Sequence, residues 1–286
     1  MLEINEITPR ENDFTSVVGD IVGMPKLLYY RGKLPEKRVK SVAIVGTRKP
    51  TRYGEEYAYK FAYGLAEKGI TVVSGLALGT DAIAHRGALD AGGVTIAVLG
   101  SGVDDITPRT NRALGERILT EGGAIISEYP PGMPAVAGHF LARNRIVSGL
   151  SDAVIVIEAA RRSGTLATAS YAVNQGRSVF ALPGRIDSPM SAGCNALLKQ
   201  GAFPITEVDD VLAVIAPEQM EQMELKFTGG SEGERGIIEL IRGGVRDGEE
   251  IATKLKMETG EFNQLVTLME LKGVIRSLGA NKWALR

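Results

Sequence analysis

A doubly wound, mostly parallel α/β sheet is the fold class this sequence predicts, on three observations. Six short runs rich in β-branched residues are apolar on both alternations, as strands buried on both faces are. Segments of helical spacing separate them. Several strands end in glycine and hydroxyl turns that open the next helix, where open parallel sheets place their ligand edge.

In chain order, residues 1–39 form a short lead-in of little periodicity, with Pro25, Pro35 and one strand candidate, Leu27-Leu28-Tyr29-Tyr30. Residues 40–216 carry the repeat. Strands are expected at 41–45, 71–74, 95–99, 124–127, 153–157 and 178–182, and helices at 54–68, 81–91, 111–121 and 165–175. Strand and helix alternating in this way give an extended Rossmann-like fold with helices on both faces. Pro204-Ile205 then precedes a closing helix over 207–215. Residues 217–233 are polar, rich in Met and Glu, and end in Gly229-Gly230-Ser231-Glu232-Gly233, the composition of a linker. Residues 234–286 hold three helical patterns at 235–242, 247–256 and 261–273. Val274-Ile275-Arg276-Ser277-Leu278 then turns through Gly279-Ala280-Asn281 into a second strand, which is the plan of a small C-terminal winged-helix domain.

Composition narrows the function classes. The 286 residues are 44% apolar and 23% charged, the balance of an ordinary globular protein. No apolar run approaches the ~20 residues that span a bilayer, so no membrane partner is expected. The acidic start Met1-Leu2-Glu3-Ile4-Asn5-Glu6 does not read as a secretory leader. One cysteine, Cys194, and two histidines make no internal disulfide and a poor zinc set. No metal or cofactor is therefore expected, and a cytoplasmic location fits best. A net charge of −1 argues against a protein that coats nucleic acid by bulk charge, so any such site must be a local cluster of donors.

The strand ends supply such a cluster. The first ends in Gly46-Thr47-Arg48, with Gly54 opening the next helix. Gly46 admits a close backbone approach, Thr47 offers a hydroxyl, and Arg48 can fork onto phosphate oxygens. One such turn is weak evidence. It recurs as Ser74-Gly75-Leu76-Ala77-Leu78-Gly79-Thr80-Asp81, as Leu99-Gly100-Ser101-Gly102, and as Arg161-Arg162-Ser163-Gly164-Thr165, with Thr168 one turn further on. The stretch His139-Phe140-Leu141-Ala142-Arg143-Asn144-Arg145 adds two arginines, an asparagine and a ring for base stacking. The alternative is that Phe140 is core and that the arginines salt-bridge to Glu128 or Glu158. His85, beside Asp81 early in a helix, reads as a structural hydrogen-bonder. Asp104 and Asp105 with Asn111 lack a second cluster that would make a metal site. No nucleophile with a paired base is evident, and no Gly-x-x-x-x-Gly-Lys-Ser/Thr is present, so a Walker-type ATPase is excluded.

These residues resemble the DNA processing protein A (DprA/Smf) family over roughly 25–215. The resemblance rests on Val42-Ala43-Ile44-Val45-Gly46-Thr47-Arg48, Ser74-Gly75-Leu76-Ala77, Ala97-Val98-Leu99-Gly100-Ser101-Gly102-Val103-Asp104, Ser127-Glu128-Tyr129-Pro130, Arg143-Asn144-Arg145-Ile146-Val147, Glu158-Ala159, Ser163-Gly164-Thr165-Leu166-Ala167-Thr168-Ala169 and Val179-Phe180-Ala181-Leu182-Pro183-Gly184. It implies a homodimeric protein, not an enzyme, that binds and protects single-stranded DNA and loads RecA recombinase during natural transformation (competence). It also implies DNA contacts at Arg48, Arg109, Arg143, Asn144 and Arg145, and a phosphate pocket at Ser163, Gly164 and Thr165. Leu78, Leu141 and Thr107 depart from the family's usual arginine, proline and tyrosine, and the missing arginine at 78 weakens the positive pocket. The competing reading is a nucleotide-processing enzyme of the phosphoribohydrolase-like group. There Thr168 stands where that group's catalytic glutamate would be, which favours binding over hydrolysis.

Overall fold

The computed structural model describes residues 3–218 and 231–285. Most of the expected linker, 219–230, lies outside the described residues. The chain forms two compact units, Met1–Ala216 and Pro217–Arg286.

The first unit is built on β1 (Asn5–Ile7), β2 (Leu28–Gly32), β3 (Ser41–Val45), β4 (Thr71–Ser74), β5 (Thr95–Val98), β6 (Ala124–Ser127), β7 (Ala153–Val156), β8 (Ser178–Ala181) and β9 (Phe203–Pro204). They form one sheet in the order β1-β2-β6-β5-β4-β3-β7-β8-β9, parallel from β6 to β9. The chain winds outward from β3 in one direction, then returns to its other side at β7. Beside β3 the winding reverses, and in such sheets the crevice for ligands opens beyond the carboxyl ends at that point. The β3 to β7 strands are buried along their whole length, which is why they read as continuous apolar runs.

Helices α1 (Asp13–Ser16), α2 (Arg52–Glu67), α3 (Thr80–Asp90), α4 (Arg112–Thr120), α5 (Ala137–Leu150), α6 (Thr165–Asn174), α7 (Ala192–Lys199) and α8 (Val208–Ile215) cover the sheet. Two of these are helices that the sequence reading does not assign: α5, whose first half holds the 139–145 stretch, and α7, which the spacing does not announce. Nor is the lead-in an appendage. β2 pairs antiparallel with β6, β1 with β2, and Phe14, Val18, Ile21, Leu28 and Leu34 are buried in the main core. Their spacing is irregular because several short pieces, not one periodic element, carry them.

In the second unit, helices Glu232–Arg242, Gly248–Leu255 and Thr259–Leu271 precede an antiparallel hairpin of Ile275–Gly279 and Lys282–Leu285. Ile237, Ile238, Ile241, Ile251, Phe262, Val266, Met269 and Ile275 close a core of its own.

Candidate nucleic-acid interface

Three strand ends meet at Gly46-Thr47-Arg48. Gly46 has no room for a side chain, because Thr80 Cβ lies 2.9 Å from where its own Cβ would be. Thr80 donates from N and Oγ1 to the Thr47 carbonyl at 3.2 and 3.1 Å, which clamps the start of α3 onto the β3 turn. Thr165 Oγ1 donates to Gly46 O at 2.9 Å and ties in the start of α6. Gly79, at φ +75, passes against the backbone of Arg48 in a conformation that side chains rarely adopt. Leu76 is buried at φ +53, and the Asn111 amide donates to the carbonyls of Leu76 and Ala77 at 2.9 and 3.1 Å. That holds a turn a leucine would not choose.

The N-terminus of α2 is not open to a ligand phosphate, as the turn suggested. The buried Glu158 carboxylate already sits there. It accepts from Thr51 N at 2.8 Å and from Thr51 Oγ1 at 2.7 Å, and Gly54 leaves it space.

The four arginines predicted as DNA contacts have different fates. Arg48 is exposed, makes no ion pair among the described residues, and lies 5.5 Å over the Phe140 ring. Arg143, expected as a DNA contact, is buried and its guanidinium is spent largely on the backbone. Its Nη1 donates to Gly75 O at 2.7 Å and also to Val98 O, and its Nε to Asn144 Oδ1 at 3.3 Å, so it braces the ends of β4 and β5. The absent side chain at Gly75 is what admits the guanidinium. Arg145 is the salt-bridged arginine of the alternative reading. Its Nη1 and Nη2 meet the two Glu128 oxygens at 2.6 Å each, and Nε donates to Gly23 O at 2.8 Å. Arg109 is exposed in a turn before α4. Gly100 packs under Phe140 and His139, and Ser101 bonds within its own turn to Thr107 Oγ1 at 3.1 Å.

A cleft of about 430 Å³ opens at the carboxyl edge of β3. It brings together Gly46, Thr47, Arg48, Phe140, Arg143, Asn144, Ser163, Gly164, Thr165 and Thr168. Gly75, Gly100, Ser101, Arg109 and Arg145 are not among its lining residues. It adds Asp81, which the sequence reading names at the end of the Ser74–Thr80 turn and beside His85 without giving it a place in the site. The signal for it is an acidic residue in the first helical turn after a glycine-rich strand end. Burial pushes the Asp81 carboxyl up and the Arg143 guanidinium down, and each is partly rescued by the charge of the other. Thr168 is 1% exposed and lines the cleft.

His85 lies elsewhere, fully buried, with Nδ1 2.7 Å from Thr95 Oγ1. Thr95 spends its own proton on Val72 O, so His85 carries its proton on Nδ1 and is neutral. Burial, with Arg143 repelling the charge, lowers its pKa to about 3. Among the described residues no cluster of potential metal ligands occurs. None of their helices is long and apolar enough to cross a membrane.

A doubly wound sheet with a polar cleft at its winding reversal, lined by Arg48 and Arg143 among others, defines a Rossmann-like protein. The chain belongs to the DNA recombination-mediator protein A family, which matches residues 5–216. Protein Smf of Escherichia coli K12 is 47% identical over 188 residues, covering 66% of this chain and 50% of that protein. DNA processing protein DprA of Streptococcus pneumoniae R6 is 43% identical over 196 residues, covering 68% and 69%. This chain spans about half the length of the first of these relatives. In solved structures, DNA processing protein A from Streptococcus pneumoniae has a TM-score of 0.69 at 39% identity, covering 74% of this chain and 75% of that one. The protein of the same name from Helicobacter pylori, whose structure concerns its single-stranded DNA binding mode, has a TM-score of 0.65 at 33% identity, covering 76% and 97%.

Proposed function

We propose that the cleft binds single-stranded DNA, with backbone phosphates against Arg48 and the Ser163-Gly164-Thr165 turn and a base against Phe140. The observation that carries this reading is Arg48, an exposed cation without an ion pair among the described residues, held over an aromatic ring at the mouth of a polar cleft. A cation and a ring side by side engage phosphate and base without reading sequence. The Helicobacter pylori relative, with its single-stranded DNA binding mode, supports the same ligand. Thr168 in place of a catalytic glutamate argues for a binder rather than a phosphoribohydrolase, since a hydroxyl is a far weaker base than a carboxylate.

Protection of incoming DNA, loading of RecA recombinase, homodimerisation and a cytoplasmic setting are the finer reading, supported by the family alone. We also read the second unit as a winged-helix module. The exposed face of its third helix offers Asn263, Gln264, Thr267, Leu268 and Leu271, with no cation among them, which suits a protein contact better than a DNA groove.

The test is anisotropy with single- and double-stranded oligonucleotides across a salt series. Arg48→Ala should weaken single-strand binding and reduce the salt slope by about 0.7 for each phosphate it no longer holds. An unchanged affinity and slope would remove the site. Steady release of free base from nucleoside monophosphates would overturn the binder reading.

A further inference from the structure

The carboxyl edge of the sheet is not evenly charged. Beyond β3 and β7 stand Lys49, Arg52, Arg161 and Arg162, all exposed and without an ion pair among the described residues. Beyond β5, by contrast, Asp104 and Asp105 are exposed alongside Arg109 and Arg112. A polyanion that leaves the cleft is therefore drawn toward the β7–β8 side.

On that side the loop between β8 and α7 is fixed at both ends. Asn195 holds Gly184 twice: Nδ2 donates to Gly184 O at 3.0 Å, and Oδ1 accepts from Gly184 N at 3.3 Å. Ala159 N donates to Met190 O at 2.8 Å and joins the loop to the turn after β7. Tyr53 Oη donates to Pro183 O at 2.8 Å and joins it to the first turn of α2. At the tip, Arg185 and Asp187 pair at 2.8 Å. Between them Ile186 is 98% exposed, more than any other large apolar side chain among the described residues. Tyr53 is exposed too, its ring centroid 4.7 Å from that of Tyr57. A lone isoleucine on a surface needs no explanation. One held out on a pinned loop, whose base is tied to an exposed ring and to the turn that carries Arg161 and Arg162, points to a ligand with apolar faces and negative charge.

Resting on the single-stranded DNA reading above, we propose that Tyr53 and Ile186 form a second base-contact subsite, separate from the cleft, for the stretch of strand that leaves it. A base packs on the Tyr53 ring, and Ile186 presses on a base face as an apolar wedge does. Lys49 and Arg52 meet the phosphates between the two subsites. Ring, apolar tip and point charges engage any base, so this subsite reads no sequence. The cleft, at about 430 Å³, holds only a short piece of strand, and the second subsite therefore contributes only to longer ones.

The test is anisotropy with oligo-dT strands from about 4 to about 16 nucleotides, the range of single-strand site sizes. Tyr53→Ala should weaken the longest strand by at least about fivefold, the lower end for one stacked base, and leave the shortest unchanged. Ile186→Ser should act in the same direction and with the same dependence on length. It alters only an exposed tip, so it reads binding even if Tyr53→Ala folds poorly. Tyr53→Phe keeps the ring and should bind as the parent does. The fluorescence of Ile186→Trp, with the parent as blank, should be quenched by the longest strand and not by the shortest. Parental affinity of Tyr53→Ala and Ile186→Ser for the longest strand overturns the proposal. Should Arg48→Ala leave every length unchanged, the cleft reading falls. Should Arg48→Ala weaken every length while the Tyr53 and Ile186 variants change none, only the second subsite falls.

Discussion

Arg48 and Arg143 lie in the same cleft and are expected to fail differently. Replacing Arg48 with alanine removes an exposed side chain that makes no ion pair among the described residues, so the thermal midpoint should stay within about 1–2 °C of the parent while DNA affinity drops. Replacing Arg143 with alanine leaves the Gly75 and Val98 carbonyls unpaired and Asp81 uncompensated. That should cost about 3 kcal/mol or more, a fall of roughly 6–12 °C for a unit of this size. Calorimetry on the two variants separates the cation proposed to hold DNA from the one that braces the fold.

His85 makes a second prediction at this scale, in acid. Its folded pKa of about 3 lies below the ordinary 6.5, so the unfolded chain gains a proton within that window and the folded chain does not. Stability is therefore fully present above pH 6.5 and is lost as pH falls toward 3, with a slope of up to about 1.4 kcal/mol per pH unit from this group. Urea midpoints across the window should show it, and His85→Gln should flatten it. A slope unchanged by that substitution assigns the acid sensitivity to other groups.

Among the elements, α5 does the most to shape the cleft and is the one the sequence hid. Its first turns bring Phe140, Arg143 and Asn144 to the edge of β3, and Arg145 bolts it to Glu128 beyond β6 and to Gly23 of the lead-in. The apolar pattern of α5 is weak because both faces are partly covered and charges fall inside it. Periodicity therefore does not announce a helix. Glu128→Gln should loosen this bolt by about 1–2 kcal/mol, since the pair is largely buried and bidentate. It should weaken DNA binding only indirectly, through the position of Phe140, and without changing the salt slope. A reduced slope would instead make Arg145 a phosphate contact. At α2, Glu158→Ala leaves Thr51 N without its partner and should cost about 1–2 kcal/mol, measurable as a shift in urea midpoint.

At the scale of the molecule, the two units have separate cores, the second closed by Ile237, Ile251, Phe262 and Met269. A chain ending at residue 216 should therefore fold and keep its affinity for single strands, while the intact chain should show two calorimetric transitions. Loss of binding on truncation would place part of the DNA site in the second unit. The overall architecture was legible because its signals are local. Two-sided apolar strands mean a parallel sheet wherever they occur, and glycine and hydroxyl turns at their ends mark its ligand edge.

What the sequence by itself determined is the doubly wound sheet, the edge that carries the glycine and hydroxyl turns, and the family's order of motifs. All of these are patterns within a few residues. What only the tertiary structure decided is which charges are free. Arg48, Arg143 and Arg145 look alike in sequence, and neither composition nor spacing separates them. Their roles depend on partners far along the chain: Gly75 is 68 residues from Arg143, and Gly23 is 122 residues from Arg145. Burial and hydrogen bonding turn a cation into a strut or leave it for a ligand. Both are properties of distance in space, which the chain acquires only when the strand ends come together.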